Sequence, residues 1–260
     1  MFLQEIVDNR RKEIEEAKKE SLEEKLEQLA QQRVEYIDFG SMLSRDSERV
    51  KIIAELKKAS PSKGVLRKDF NPVELAQSCQ KGGADALSVL AEKKYFQGDI
   101  EYINEIKKNN IHLPVLCKDF IIDKFQIVQA AACGADAALL IAAILPDKEL
   151  EDLYAYCDKM NIYPILEVFT NEELDRIVSF DKGAIQINNR NLNTFEVDIK
   201  NTEKLINHVP AGRKVISASG IRNRKDILHL KDYGVDAVLV GELLMKEGDI
   251  EAKLKELVLQ

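Results

Sequence analysis

Residues 134–143 read GADAALLIAA. After a Gly-x-Asp signal comes a short run with no polar residue in it, so neither of its faces is reserved for water. A strand that is apolar on both faces belongs to a parallel sheet covered on both sides. The opening phrase recurs as GGADAL at 82–87 and GVDAVL at 234–239. In each, the glycine ends a helix in the left-handed conformation and the aspartate opens the next turn. The repeat is structural, not catalytic. Working outward, equivalent runs are VKIIAEL (50–56), ALSVLA (86–91), LPVLCKDF (113–120), DAALLIAA (136–143), YPILEVF (163–169), AIQINN (184–189), RKVISASG (213–220) and DAVLVG (236–241). The gaps carry helical patterns such as NPVELAQSCQKGG (71–83) and TNEELDRIVSF (170–180). Eight alternating units in about 210 residues predict a closed α/β structure, a (β/α)8 or TIM barrel, rather than an open sheet.

Ahead of the barrel, residues 1 to about 33 are helical in pattern and highly charged, with acids and bases four apart in EIVDNRRKEIEEAKKE. That spacing predicts a solvated helix with one apolar stripe. The expected layout is one domain over 1–260: a helical extension at 1–48 and the barrel at 49–260, with no dividing linker.

Hydrophobic residues form 45 % of the chain, enough for a large core. The net charge is −7 with signs interspersed, and no basic stripe invites nucleic acid. The start, MFLQEIVDNRRKE, is too charged for a signal peptide, and no apolar run approaches the ~20 residues of a membrane span. Cys79, Cys117, Cys133 and Cys157 form no CxxC pair and read as free thiols in a reducing, cytoplasmic setting. The three histidines do not pair with them at ligand spacing, so no metal is expected. The expected oligomeric state is a monomer, with a weak dimer as the alternative.

Barrel chemistry sits at the C-terminal ends of the strands. There the runs bring Glu55 and Lys57, then Glu92, then Lys118 and Asp119, then Glu167, Asn188, Asn189 and Arg190, and Ser217 to Gly220 with Gly241 and Glu242. Charges in apolar strands are costly unless paired. Glu55 and Glu167 therefore read either as a structural ion pair or as working groups, and the convergence of titratable residues on one place favours the second. Crowded lysines give up protons more readily, which suits an acid; a carboxyl in a partly apolar mouth holds its proton more tightly, which suits a base. Ser219-Gly220 and Gly241-Glu242 end the last two runs, where barrels offer backbone N–H groups to phosphate. The loop KKASPSKGVLRKDFNP (57–72) carries five cations and reads as either a solvated loop or a lid over an anionic substrate.

The stretches IAELKKASPSKG, ALSVLAEKKYFQG, PVLCKDFIID, EVF, INNRNLNTFEVD and SASGI resemble the motifs of indole-3-glycerol-phosphate synthase, from about residue 50 to the end. The resemblance implies ring closure, decarboxylation and dehydration of 1-(2-carboxyphenylamino)-1-deoxyribulose 5-phosphate, a step of tryptophan biosynthesis, with no metal or organic cofactor. It implies Lys118 as general acid and Glu167 as general base. Lys57 would engage the substrate carboxylate, with a second acid role open to it, and Glu55 and Asn188 would orient these groups. Arg190 lies where the anthranilate carboxylate is approached. Ser60, Ser219, Gly220, Gly241 and Glu242 match the phosphate region. Phe96, Phe120, Leu139 and Leu192 match the apolar walls, and Glu92 is counted with the substrate-binding set.

Four positions depart from the family pattern. Run seven usually ends Glu-Ser-Gly and here has Ala218. Ala91 stands for the usual Thr, Phe169 often for His, and Gln186 for a small Gly. The absent carboxylate leaves open a repurposed barrel that binds the phosphorylated ligand with little turnover. A sugar-phosphate isomerase on a sister barrel is a further alternative, but such enzymes lack the Lys-rich ASPSKG loop.

Overall fold

A computed structural model describes residues 2–20, 23–33, 36–44 and 49–258. Eight parallel strands close into a barrel: β1 (Lys51–Leu56), β2 (Ala86–Leu90), β3 (Val115–Lys118), β4 (Ala137–Ile141), β5 (Tyr163–Val168), β6 (Ala184–Asn188), β7 (Lys214–Ala218) and β8 (Ala237–Val240). Each pairs with its neighbours in sequence, and β8 closes onto β1 with Lys51 opposite Ala237. Each strand lies within its sequence run, shortened by a residue or more at one or both ends.

Side-chain alternation splits the core into two layers. Ile53, Ala86, Leu116, Leu139, Ile165, Ala184, Ile216 and Ala237 fill the barrel interior. Their neighbours, such as Ile52, Leu87, Val115, Leu140, Leu166 and Ile185, face the helices outside. Both layers being apolar is why the strands read as continuous runs.

The Gly-x-Asp repeat builds the opposite rim. Gly83, Gly134 and Gly234 have φ of 87°, 95° and 85°, the left-handed turn that ends each preceding helix. The aspartate carboxylates then accept a backbone N–H from the first or second residue of a neighbouring strand: Asp85 from Ile52 at 2.9 Å, Asp136 from Val115 at 2.8 Å and Asp236 from Val215 at 2.9 Å. Arg49, Lys107 and Lys214 balance the three charges. The motif is thus a strand-start clamp, not a turn opener alone.

The extension comprises α1 (Phe2–Glu20), α2 (Glu23–Gln31) and α3 (Phe39–Met42). The solvated-helix expectation for α1 needs correction, because its anchors are buried. Arg10 is 9 % exposed and its Nη2 lies 2.5 Å from Asp119 Oδ2. Lys18 pairs with Asp123 at 2.8 Å, and Phe2 packs edge-on against Tyr95 and Phe195. These partners belong to the loops after β3, β2 and β6, so α1 lies along the mouth of the barrel. At the other end α3, which the sequence pattern does not reveal, inserts Phe39 and Leu43 into the inner core, with Phe39 stacked on Tyr163 at the start of β5. Asp38 caps α3 by accepting from Ser41 N. All four cysteines are free, and Cys79, Cys117 and Cys157 are buried. Among the described residues no helix is long and apolar enough to cross a membrane.

Candidate active site

A cavity of about 650 Å3 opens at the C-terminal ends of the strands. Glu55, Lys57, Lys118, Glu167, Asn188 and Arg190 line it together. The inward positions of β1, β3, β5 and β6 supply four of them, because a strand sends every second side chain to the same face.

On one side, Lys57 Nζ donates to Glu55 Oε2 at 2.5 Å. Burial alone would push the Glu55 carboxyl up, but Lys57, Lys118 and Arg190 outweigh it and hold Glu55 below its ordinary value of 4.5. The expectation of a raised carboxyl therefore fails at Glu55: the cations are close enough to reverse the burial effect. Gly241 makes room for this carboxylate. A Cβ at 241 would fall on Glu55 Oε2 and lie 3.0 Å from its Cδ.

On the other side stands Glu167, 2 % exposed. Asn188 Nδ2 donates to its Oε1 at 3.2 Å, Gln186 Nε2 donates to its Oε2, and Lys118 Nζ lies 3.8 Å from Oε2. The Lys118 contact is an ion pair longer than a hydrogen bond, so the ammonium keeps its donors for other partners. Asn188 Oδ1 accepts from Arg190 N at 3.0 Å, linking the strand end to the following loop. Arg190 reaches Phe195 O at 3.3 Å and Glu242 Oε2 at 3.6 Å. Glu242 is also held by Lys246 at 2.6 Å; against the upward push of burial, Lys246 and Arg190 keep its carboxyl low.

Phe96 and Phe120 form an apolar wall, their ring centroids 6.0 Å apart, and Leu192 joins them. Ser219, Gly220, Gly241 and Glu242 line the side formed by β7 and β8. Ser219 and Gly220 both have positive φ, 71° and 87°. A non-glycine residue there is strained, and such strain gathers at functional turns.

Three expected residues lie elsewhere. Leu139 is sealed in the barrel interior below the cavity, and Ile141, the next inward residue of β4, lines the cavity in its place. Glu92 is fully buried but turned away: its oxygens accept the backbone N–H groups of Lys94, Tyr95 and Phe96 at 2.7–3.1 Å. It holds the loop that carries Phe96, and burial pushes its carboxyl up against those three donors. Ser60 is absent from the lining, whereas Ser62 and Lys63 face the cavity. The reason is that the loop after β1 is a small hairpin, Ala59–Ser60 against Gly64–Val65, whose turn points Ser62 and Lys63 inward. Arg67 ties the hairpin down through Glu247 O at 2.9 Å. Sequence reasoning also passed over Leu90, Leu239 and Phe195. Counting every second residue from Ala86 or Ala237 would have found the first two; nothing marks Phe195. Of the four departures, Ala218 lines the cavity opposite Asn188, and Gln186 faces inward. Ala91 packs in the outer core, and Phe169 only continues β5, its backbone N–H donating to Glu173.

The folds of 3-hexulose-6-phosphate synthase from Salmonella typhimurium (TM-score 0.65, 12 % identity, 80 % of this chain and 96 % of that one) and of tryptophan synthase subunit alpha from Legionella pneumophila (TM-score 0.62, 15 % identity, 84 % and 95 %) are similar. At those identities the likeness speaks for the barrel alone. Sequence relatives say more. The indole-3-glycerol phosphate synthase of Caldanaerobacter subterraneus is 43 % identical over 99 % of this chain and 98 % of its own. That of Acetivibrio thermocellus is 44 % identical over 85 % and 84 %, and that of Aquifex aeolicus 44 % over 90 % of each. The family model of indole-3-glycerol phosphate synthase matches residues 3–257, a span that includes α1 as well as every strand end described above. A barrel mouth with two lysine–carboxylate pairs, carried on a sequence this close to those enzymes over nearly its full length, places the chain in the indole-3-glycerol phosphate synthase family.

Proposed function

We propose that the two lysine–carboxylate pairs divide the indole-3-glycerol phosphate synthase reaction between them. The enzyme is a carboxy-lyase of tryptophan biosynthesis. It converts 1-(2-carboxyphenylamino)-1-deoxyribulose 5-phosphate into indole-3-glycerol phosphate, CO2 and water. The ring carbon that bears the carboxylate attacks the ribulose carbonyl carbon, and the carbonyl oxygen takes a proton to become a hydroxyl. Loss of CO2 returns its bonding electrons to the ring. An acid then protonates the hydroxyl, which leaves as water, and a base removes a proton to complete the indole.

Lys118 is the general acid for the carbonyl oxygen. Glu167, across from it, is the base of the dehydration. Their 3.8 Å separation supports this division, since neither consumes the other in a tight hydrogen bond. Lys57, held by Glu55, takes the substrate carboxylate and is the second candidate acid. Arg190 approaches the same carboxylate, and Asn188 orients Glu167. Phe96, Phe120 and Leu192 form a slot that strips water from the aromatic ring. Ser219, Gly220, Gly241 and Glu242 offer backbone N–H groups to the phosphate, and Lys63 of the hairpin lines the same cavity. The four free cysteines fit a reducing, cytoplasmic setting, and the proposed oligomeric state is a monomer or a weak dimer.

The observation that carries this reading is the convergence of Lys57, Lys118, Glu55 and Glu167 on one cavity with an apolar wall. Steady-state kinetics of Lys118→Met and Lys57→Met test it. Loss of a general acid should lower kcat of Lys118→Met by about 10²-fold or more with KM little changed. Lys57→Met should raise KM as well as lower kcat. Parental kcat in Lys118→Met would overturn the assignment.

A further inference from the structure

Gln186 does something that core filling does not explain. On β6, Ile185 and Ile187 face the helices, whereas Ala184, Gln186 and Asn188 face the interior. The register neighbour of Gln186 on β7, Ile216, is apolar, and so is Ile165 on β5, one inward position deeper and opposite Ala184. Gln186 is the direct register neighbour of Glu167. Its Nε2 donates to Glu167 Oε2, while Asn188 Nδ2 donates to Glu167 Oε1. An ionised carboxylate only accepts, so the amide nitrogen must be the end turned toward it. The other end, Oε1, is buried without a partner in a side chain that is fully buried. A methionine of the same length would fill the space and orphan nothing. The orphaned oxygen is therefore the cost of placing an N–H on Glu167. Lys118, at 3.8 Å, does not supply that hydrogen bond.

We propose that Gln186 is a positioning residue for Glu167: it fixes the Oε2 side of the carboxylate and so leaves the Lys118 ammonium available to the substrate. This rests on Glu167 acting as the base. On Ala218, across from Asn188, β7 brings no polar group toward Glu167, so β6 alone orients it through its two amides.

The test is Gln186→Met, made in the parent and in a Glu167→Gln background, with kcat, KM and the melting temperature measured. Loss of a charge-assisted hydrogen bond should lower kcat about tenfold in the parent, with KM within about twofold. In the Glu167→Gln background the same change should alter kcat by less than about twofold. Gln186→Gly serves if the methionine fails to fold, and it should show the same dependence on the background. A parental kcat, or an equal loss of kcat in both backgrounds, would overturn the proposal and leave Gln186 a packing residue. Parental turnover in Glu167→Gln alone would instead overturn the base assignment, and the two failures are told apart by that arm.

Discussion

Gly241 shows how one missing atom can govern a charged site. Its φ is −124°, so the residue is glycine for space and not for a left-handed turn. The Glu55 carboxylate occupies the volume where a Cβ would stand, and Lys57 is bonded to the oxygen nearest it. Gly241→Ala should push Glu55 aside and loosen Lys57. Misplacement of about 1 Å near reacting groups can lower turnover by 10²-fold, and overpacking at such a site costs about 1–3 kcal/mol. Steady-state kinetics beside a thermal melt check this; parental kcat/KM would show that Glu55 has another place to go. At this scale the sequence was informative about residue types and less so about directions. Glu55, Lys57, Lys118, Glu167 and Asn188 are legible because polar residues interrupt apolar runs. Glu92 interrupts the pattern in the same way, yet it faces a loop backbone, and only coordinates separate those two uses of a buried carboxylate. Gln186 stands out as polar in a buried run, but the pairing register that puts it beside Glu167 is a tertiary fact.

Among the elements outside the barrel, α1 is tied to the loop that follows Lys118. Arg10 meets Asp119, the residue after Lys118, and Asp119 also takes Gln126 Nε2 at 3.2 Å and its neighbour Phe120 N at 2.8 Å. The extension thus holds the end of β3, where the proposed acid sits. Arg10→Met would leave Asp119 a buried anion without its cation. Breaking one partner of a buried pair costs about 3 kcal/mol. Urea unfolding should show that loss, and kcat should fall with it as Lys118 loses its anchor. Lys148→Met, which removes an exposed pair with Asp152 on the outer helix Asp147–Lys159, should leave the urea midpoint where it was. Equal midpoints for Arg10→Met and the parent would contradict the anchoring role. The charge pattern of 5–20 resembles that of any solvated helix, because a partner at position 119 leaves no local trace. The strands, by contrast, were legible throughout, since period and composition are local properties. The hairpin after β1 lay between these cases: its cations were visible, but its two-residue strands are too short to carry a pattern.

In the whole molecule, closure of the barrel converts eight separate strand ends into one cavity. Residues far apart in sequence, such as Lys57 and Lys118, come to line the same cavity only through that closure. This is why the fold and the chemistry could be read together: the rule that barrel sites lie at the C-terminal ends selects the polar residues that matter. Depth along a strand was harder. Leu139 and Ile141 face the same way, and only Ile141, at the C-terminal end of β4, reaches the cavity. Ala218 bears on the molecule as a whole, because the lysines keep Glu55 and Glu167 as partners without it. This chain therefore keeps the groups it needs to turn over its substrate. The most direct measurement is the growth of indole fluorescence when the purified protein is given 1-(2-carboxyphenylamino)-1-deoxyribulose 5-phosphate. Product should form, saturate with substrate and be lost in the Lys118→Met, Glu167→Gln double variant; no product above the buffer background, or equal rates in the parent and that variant, would contradict turnover at this site.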